Sequence, residues 1–227
     1  MRIDWRRARV LTFDCYGTLI DWKTGILDVL RPWARVNAIE ATDADLIGSY
    51  NAAEAAAQQE NPKALYTTVL RSTMDRIAAA WNITSSTSAR DTLASSVGDW
   101  PAFPDTAAAL RQLQRHYKLV VVSNANGRLR HLFDRLGLAQ FFDVLFDSFE
   151  EGVEKPDPRL FHIALARSGA TAQTTTHVGD LYHIDVIGAR AAGLGAVLID
   201  AAGLYVSYDC PRIRRVSELI GVVGGHV

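Results

Sequence analysis

An aspartate in a setting that suits nucleophilic chemistry stands near the start of the sequence. The apolar run Val10–Phe13 ends at Asp14, and Gly17 follows three positions later. A carboxylate at a strand end can attack a substrate, while the backbone N–H groups of the turn at Gly17 bind an anionic group. The segment predicts a nucleophile beside an anion-binding turn, although the same pattern also occurs in turns without a catalytic role.

A second acidic segment has the composition of a metal site. Asp180 and Asp185 lie five positions apart, directly after the apolar run that ends at Val178. Mg²⁺ prefers one or two carboxylates together with water and substrate phosphate. We therefore expect both aspartates to be metal ligands, with capping of a helix as the alternative. His183 lies between them and is a candidate substrate-binding residue.

Polar groups that can donate hydrogen bonds occur at two more points. Ser123 and Asn124 follow the apolar run 119–122, and Lys155 stands just before a helix start at Asp157. A hydroxyl and an amide can donate to phosphate or carboxylate oxygens, and an ammonium group can neutralise an anionic nucleophile. Each of these residues alone would also fit a loop or a solvated surface. The occurrence of all four candidate segments in this order is much more specific for an active site than any one of them.

The elements that must position these residues alternate between strands and helices. The chemical candidates follow apolar runs, and helical spacing covers residues 105–117, 127–137, 158–168 and 183–192. This alternation predicts an α/β protein with a Rossmann-like parallel sheet covered on both faces. Ligands bind such sheets beyond the carboxyl ends of the strands. Asp14, Ser123 and Asp180 are all expected there.

One long segment departs from this alternation. Residues 23–98 are rich in alanine and helical spacing, with a turn signal at Asn61-Pro62 and no convincing buried strand. We predict that residues 23–98 form a helical cap domain, inserted into a core made of residues 1–22 and 99–227.

Composition excludes several classes of protein. The 227 residues carry a formal net charge of −1, so no basic field favours nucleic acid or an anionic membrane. The two cysteines have no metal-type spacing, no apolar run could span a bilayer, and the first residues lack the apolar region of a signal peptide. We expect a cytoplasmic protein, monomer or homodimer, that acts on a small-molecule substrate.

The acidic, hydroxyl and lysine segments together resemble the four signature motifs of the haloacid dehalogenase-like superfamily. The resemblance covers the whole chain, including a helical cap inserted after the first motif. It implies that Asp14 forms an aspartyl-enzyme intermediate, which water then hydrolyses. It also implies that Thr18 and Ser123 orient the transferring group, and that Lys155 stabilises the negative charge around Asp14.

The first motif resembles one branch of this superfamily, the 2-haloacid dehalogenases. Phosphatases of the superfamily carry a second aspartate two residues after the nucleophile, as general acid and base. Tyr16 occupies that position here. Dehalogenases need neither this acid nor a metal, because halide leaves as a stable anion, whereas protonation of an alkoxide is worth roughly 10²–10⁴-fold in rate.

The fourth motif resembles the other branch, the Mg²⁺-dependent phosphatases. Dehalogenases typically have serine at the position of Asp180, and they use an arginine of the cap, whereas residues 45–54 contain none. We therefore favour a phosphatase whose Mg²⁺ is held by Asp14, Tyr16, Asp180 and Asp185. Tyr16 would also contact substrate, and His183 or a leaving group of low pKa would replace the missing acid.

Two further alternatives stay open. A phosphonate-cleaving branch also lacks the second aspartate but uses a cap lysine, for which Lys63 is the candidate. A non-catalytic binding protein on the same fold would explain Tyr16, although it would not need the remaining motif residues. We expect the cap to determine the identity of the substrate.

Overall fold

The computed structural model describes residues 3–62, 64–125 and 129–224. It divides into two compact units, one formed by Met1–Ile20 with Ala102–Val227 and the other by Asp21–Pro101. The boundaries lie within three residues of the predicted ones. Lys63 lies outside the described residues. No helix of the described part of the chain is long and apolar enough to cross a membrane.

The first unit is built on a parallel sheet. Its strands are β1 (Val10–Phe13), β2 (Lys118–Ser123), β3 (Val144–Asp147), β4 (Thr175–Gly179), β5 (Gly195–Ile199) and β6 (Arg212–Ile213). They lie in the order β3-β2-β1-β4-β5-β6, and every neighbouring pair is parallel. The central strands β1 and β4 are buried along their whole length, as expected for a sheet covered on both faces.

The second unit is helical, with α1 (Trp22–Val36), α2 (Asp43–Glu60), α3 (Tyr66–Ala80) and α4 (Thr87–Ser95). The Asp21 side chain caps α1 by accepting from the backbone N–H of Thr24, and Thr42 caps α2 in a reciprocal pair with Asp45. Gly25 lets α1 approach the Trp100 ring, which a Cβ at that position would overlap. The predicted helical insertion is confirmed as a fold, and its role as a cap stays a prediction.

Further helices belong to the first unit. They are α5 (Thr106–Leu113), α6 (Leu129–Arg135), α7 (Ser148–Glu151), α8 (Pro158–Ser168), α9 (Ile187–Ala191) and α10 (Glu218–Gly224). The predicted bounds of α8 are confirmed, because Asp157 caps its start, proline occupies its first position and Gly169 ends it at φ 66°. The α/β class with a parallel sheet is therefore confirmed.

The helix predicted over residues 183–192 differs in the structure. A π-helical turn covers Tyr182–Val186, and the α-helix begins only at Ile187. Apolar spacing does not distinguish the wider turn from an α-helix, so the sequence could not predict it. The consequence is local, because this π turn carries Asp185, one of the predicted metal ligands.

Candidate active site

Three carboxylates converge at the carboxyl ends of the central strands. Asp14 follows β1, Asp180 follows β4, and Asp185 lies in the π turn after β4. One oxygen from each carboxylate lies within 4.8 Å of the others. Asp14 and Asp185 are buried, and Asp180 is partly exposed. We call these three residues the acid cluster, and its position beyond the strand ends is the one expected from the sequence.

Two glycines let the acid cluster form. Gly17, at φ 92°, lies so close to Asp180 that a Cβ would overlap the Oδ2 atom of that carboxylate. Gly179 lies equally close to Asp185, whose Cγ a side chain would overlap. The positive φ of Gly17 also disfavours any other residue. The glycine predicted to form an anion-binding turn therefore lies directly against the acid cluster.

Lys155 is the cation of this site. Its side chain is 1% exposed, and its Nζ atom donates to Asp14 Oδ1 at 2.6 Å and to Asp185 Oδ1 at 2.7 Å. Asn124 fixes the backbone of this lysine from both sides, because its Nδ2 donates to the Lys155 carbonyl and its Oδ1 accepts from the Lys155 N–H. The Asn124 amide is thus engaged with the chain itself, and its predicted contact with substrate stays a prediction.

Both carboxylate oxygens of Asp185 also lie within hydrogen-bond distance of groups other than Lys155. Oδ1, which accepts from Lys155, lies 3.3 Å from His177 Nε2, and Oδ2 accepts from the backbone N–H of Leu181 at 2.9 Å. On the other side of the imidazole, His177 Nδ1 lies 2.8 Å from the Thr12 hydroxyl oxygen. A buried hydrogen-bonded chain therefore runs from Thr12 through His177, Asp185 and Lys155 to Asp14.

The charges of the site influence one another strongly. Burial and the neighbouring Asp14 raise the pKa of Asp180 well above its ordinary value, and burial also raises the pKa of Asp14. Burial opposes the charge of Asp185, but Lys155 and His177 outweigh it and lower the pKa of this carboxyl group. Burial also opposes the charge of Lys155, but Asp14 and Asp185 outweigh it and raise the pKa of the ammonium group. Burial lowers the pKa of His177.

Two predicted hydroxyl residues lie beside the acid cluster. Ser123 is 1% exposed, and within the described residues its hydroxyl is buried without a hydrogen-bond partner. Thr18 is equally buried, and its hydroxyl donates to Asp180 Oδ1 at 3.4 Å, a long and weak bond. A buried hydroxyl without a partner costs free energy, so Ser123 fits a donor that awaits a ligand.

The structure also places Tyr16 and His183, the two other residues predicted to bind substrate. Tyr16 is half-buried in the turn after β1, where it forms a bridge with Ile20. His183 is exposed, and its ring packs edge-on against Tyr182 and Tyr208 at centroid distances of 5.4 and 5.9 Å. The roles predicted for Tyr16 and His183 remain predictions.

His177 is the site residue that the sequence analysis did not single out. It lies inside the buried strand β4, where its register partner on β1 is Thr12. Side chains alternate along a strand, so Thr12 and Asp14 share one face of β1. A histidine in a fully buried strand, three residues before Asp180, was the signal that could have identified it.

Several known proteins are similar to this chain. Haloacid dehalogenase-like hydrolase domain-containing protein 3 of Bos taurus is 39% identical over 106 residues, which cover 46% of this chain and 42% of that protein. The glyceraldehyde 3-phosphate phosphatase of Methanothermobacter thermautotrophicus is 37% identical over 101 residues, which cover 44% of this chain and 45% of that protein. The chain thus matches less than half the length of either curated relative.

A solved structure has a similar fold over almost its full length. The L-2-haloacid dehalogenase from Xanthobacter autotrophicus, with chloropropionic acid covalently bound, matches with a TM-score of 0.77 at 18% identity. The match covers 97% of this chain and 100% of that chain. At this identity the likeness shows the fold alone.

The family itself follows from a match to a larger part of the sequence. A family model described as haloacid dehalogenase-like hydrolase matches residues 8–193. This range is more than half of the chain, and it contains the acid cluster together with Ser123 and Lys155. The chain belongs to the haloacid dehalogenase-like hydrolases.

Proposed function

We propose that this hydrolase is a Mg²⁺-dependent phosphatase, acting on a small phosphorylated metabolite through an aspartyl-phosphate on Asp14. The observation that carries the proposal is the charge of the acid cluster, in which, within the described part of the chain, three carboxylates accompany one ammonium group, that of Lys155. Curated relatives that are phosphatases also support it. We extend the proposal to a cytoplasmic enzyme, monomeric or dimeric.

The acid cluster fits a divalent cation. Two ionised carboxylates whose oxygens lie within 4.8 Å of each other repel by at least roughly 3 kcal/mol at an effective dielectric of about 20. The raised pKa of Asp180 reflects the burial of its carboxylate and this repulsion. Asp14, Asp180, Asp185 and the carbonyl of Tyr16 would hold Mg²⁺, since this ion prefers such hard oxygen ligands. When bound, Mg²⁺ supplies positive charge that offsets the phosphate.

The proposed reaction has two steps at phosphorus. The Asp14 carboxylate attacks the phosphorus, an O–P bond forms, and the bond to the leaving oxygen breaks with its electron pair. Water then attacks the same phosphorus and breaks the bond to Asp14, which regains its carboxylate, while one proton of the water stays on the released phosphate and the other passes to solvent. Ser123 and Thr18 donate hydrogen bonds to the phosphoryl oxygens, and Lys155 orients Asp14.

The leaving oxygen must acquire a proton in the first step. Tyr16 occupies the place where related phosphatases carry an aspartate for this purpose. We propose that His183 supplies the proton, or that the substrate has a leaving group of low pKa that needs none. Replacement of His183 by alanine would leave the pH–rate profile unchanged if the second explanation is correct.

The alternative function is that of a 2-haloacid dehalogenase. It is favoured by the first motif, which contains Tyr16 and resembles the 2-haloacid dehalogenase branch of the superfamily. In such an enzyme Asp14 would attack a halogen-bearing carbon, and no metal would be needed. The acidic residue at position 180 argues against it, because an additional carboxylate without a cation would repel the anionic substrate. A non-catalytic binding protein is a further alternative, opposed by the complete set of Asp14, Ser123, Lys155 and both later aspartates.

A parallel assay distinguishes these functions. The protein is incubated with p-nitrophenyl phosphate and with 2-chloropropionate, each in Mg²⁺ and in EDTA. We expect phosphate release that is abolished by EDTA and by Asp14→Asn, and no halide release. Halide release that survives chelation would favour the dehalogenase, and absence of turnover of either substrate would favour a binding protein.

A further inference from the structure

We infer that His177 is a positioning residue of this site, which holds Asp185 and, through Asp185 and Lys155, the nucleophile Asp14. The inference rests on the proposed function, because Asp14 and Lys155 are assigned their roles there. His177 has no place among the groups that would contact substrate. Its contribution would instead be to fix the carboxylate to which the lysine is bound.

The fold determines where the imidazole lies. His177 pairs in register with Thr12 across the parallel strands β1 and β4, and it is 1% exposed. The Phe161 ring packs against the imidazole at a centroid distance of 5.0 Å and an angle of 82°. Both strands and a buried aromatic ring therefore hold the imidazole in one orientation, which is the requirement for a group that positions another.

The hydrogen bonds of the imidazole have a defined direction. An ionised carboxylate only accepts, so Nε2 of His177 donates to Oδ1 of Asp185 across 3.3 Å. On the other side of the ring, Nδ1 lies 2.8 Å from the Thr12 hydroxyl oxygen. The ring thus brings a hydrogen-bond donor to the acid cluster and is itself held by Thr12.

The donor acts on the oxygen that Lys155 also uses. Asp185 Oδ1 accepts from Lys155 Nζ at 2.7 Å, and the same Nζ donates to Asp14 Oδ1 at 2.6 Å. Without His177 this oxygen would be left with Lys155 alone, and the ammonium group would be drawn from Asp14 towards the poorly satisfied Asp185. The orientation of the attacking carboxylate would change, although no group that contacts substrate had been removed.

Two substitutions separate this role from simple packing. In His177→Gln the longer amide can still donate towards Asp185, whereas in His177→Asn the shorter amide cannot reach it. We expect His177→Asn to lower kcat about 10–100-fold, the usual cost of removing such a supporting bond, with little change in KM. His177→Gln is expected to recover most of kcat. Val197→Ala, in the buried part of β5, is the control for loss of packing and is expected to keep kcat.

The outcomes distinguish this inference from the proposed function. A wild-type protein that releases no phosphate would overturn the proposed function and remove the basis of the inference. An active wild type in which His177→Asn retains full kcat would overturn the inference alone. Equal losses of kcat in His177→Asn, His177→Gln and Val197→Ala would overturn it as well, because they would reflect packing.

A measurement on the wild-type protein tests the geometry without any assay of activity. In a protein labelled with ¹⁵N-histidine, long-range ¹H–¹⁵N correlation spectra show which ring nitrogen carries the proton. We expect a buried imidazole protonated at Nε2, assigned to position 177 by its absence from His177→Gln. An unprotonated Nε2 in that ring would contradict the donation to Asp185.

Discussion

Two buried serines of the first unit differ in a way that bears on function. The Ser168 hydroxyl donates to the carbonyl of Ala164 at 2.6 Å, within its own helix. The Ser123 hydroxyl is also buried, has no partner among the described residues and lies at the carboxyl end of β2, which neighbours β1. Burial of an unsatisfied hydroxyl is unfavourable, so we expect the Ser123 hydroxyl to bond to substrate.

Replacement of each serine by alanine tests this explanation. We expect Ser123→Ala to lower kcat for p-nitrophenyl phosphate about 10²-fold, the usual effect of removing one donor to a developing charge. Its stability in urea should rise by about 1 kcal/mol, because the variant no longer buries an unsatisfied hydroxyl. The measurements are steady-state kinetics and urea denaturation.

Ser168→Ala is the matched control for this prediction. It removes a buried hydroxyl that does have a partner, so we expect a loss of about 1 kcal/mol in stability and an unchanged kcat. The explanation would be refuted if Ser123→Ala kept full kcat, or if both variants lost activity to the same extent.

The backbone of the turn after β1 leaves space for one carboxylate of the acid cluster. Gly17 adopts φ 92° and lies against the Asp180 carboxylate, whereas Gly152 adopts φ 64° with open space around the position of a Cβ. Both positions strain any other residue. Only at Gly17 would a side chain also displace an acid of the proposed metal site.

Replacement of the two glycines by alanine separates strain from function. We expect both variants to be destabilised, Gly152→Ala by about 1 kcal/mol through its backbone alone. Gly17→Ala should also bind Mg²⁺ more weakly, as measured by isothermal titration calorimetry, because its methyl group would displace Asp180. Equal Mg²⁺ affinity in the two variants would show that Gly17 has no role beyond the turn.

The elements could be predicted from the sequence better than the contacts between them. Apolar runs and their polar ends predicted the strands that carry Asp14, Ser123 and Asp180, because burial on both faces leaves a strong local pattern. The bond between Asn124 and Lys155 joins residues 31 positions apart, and no local pattern encodes it. His177 was missed for the same reason, since its partners Thr12 and Asp185 are set by the pairing of strands.

At the scale of the whole molecule, the similar proteins carry two chemistries. The solved structure with a similar fold is a dehalogenase, whereas some curated relatives are phosphatases. The fold therefore does not decide between a carbon and a phosphorus electrophile. Our proposal of phosphorus rests instead on the charge of the acid cluster, since three carboxylates with one lysine among the described residues favour Mg²⁺ and a phosphate substrate. The helical unit, Asp21–Pro101, is where we expect the choice of substrate to be made.

The mass of the peptide that contains Asp14, after turnover is quenched with acid, tests the central claim most directly. The protein is mixed in separate samples with p-nitrophenyl phosphate and with 2-chloropropionate, each in Mg²⁺ and in EDTA, and then digested for mass spectrometry. We predict a gain of one phosphoryl group on Asp14 from the phosphate ester in Mg²⁺, and none in EDTA. A 1-carboxyethyl ester on Asp14, formed from 2-chloropropionate in EDTA with loss of chloride, would contradict the account.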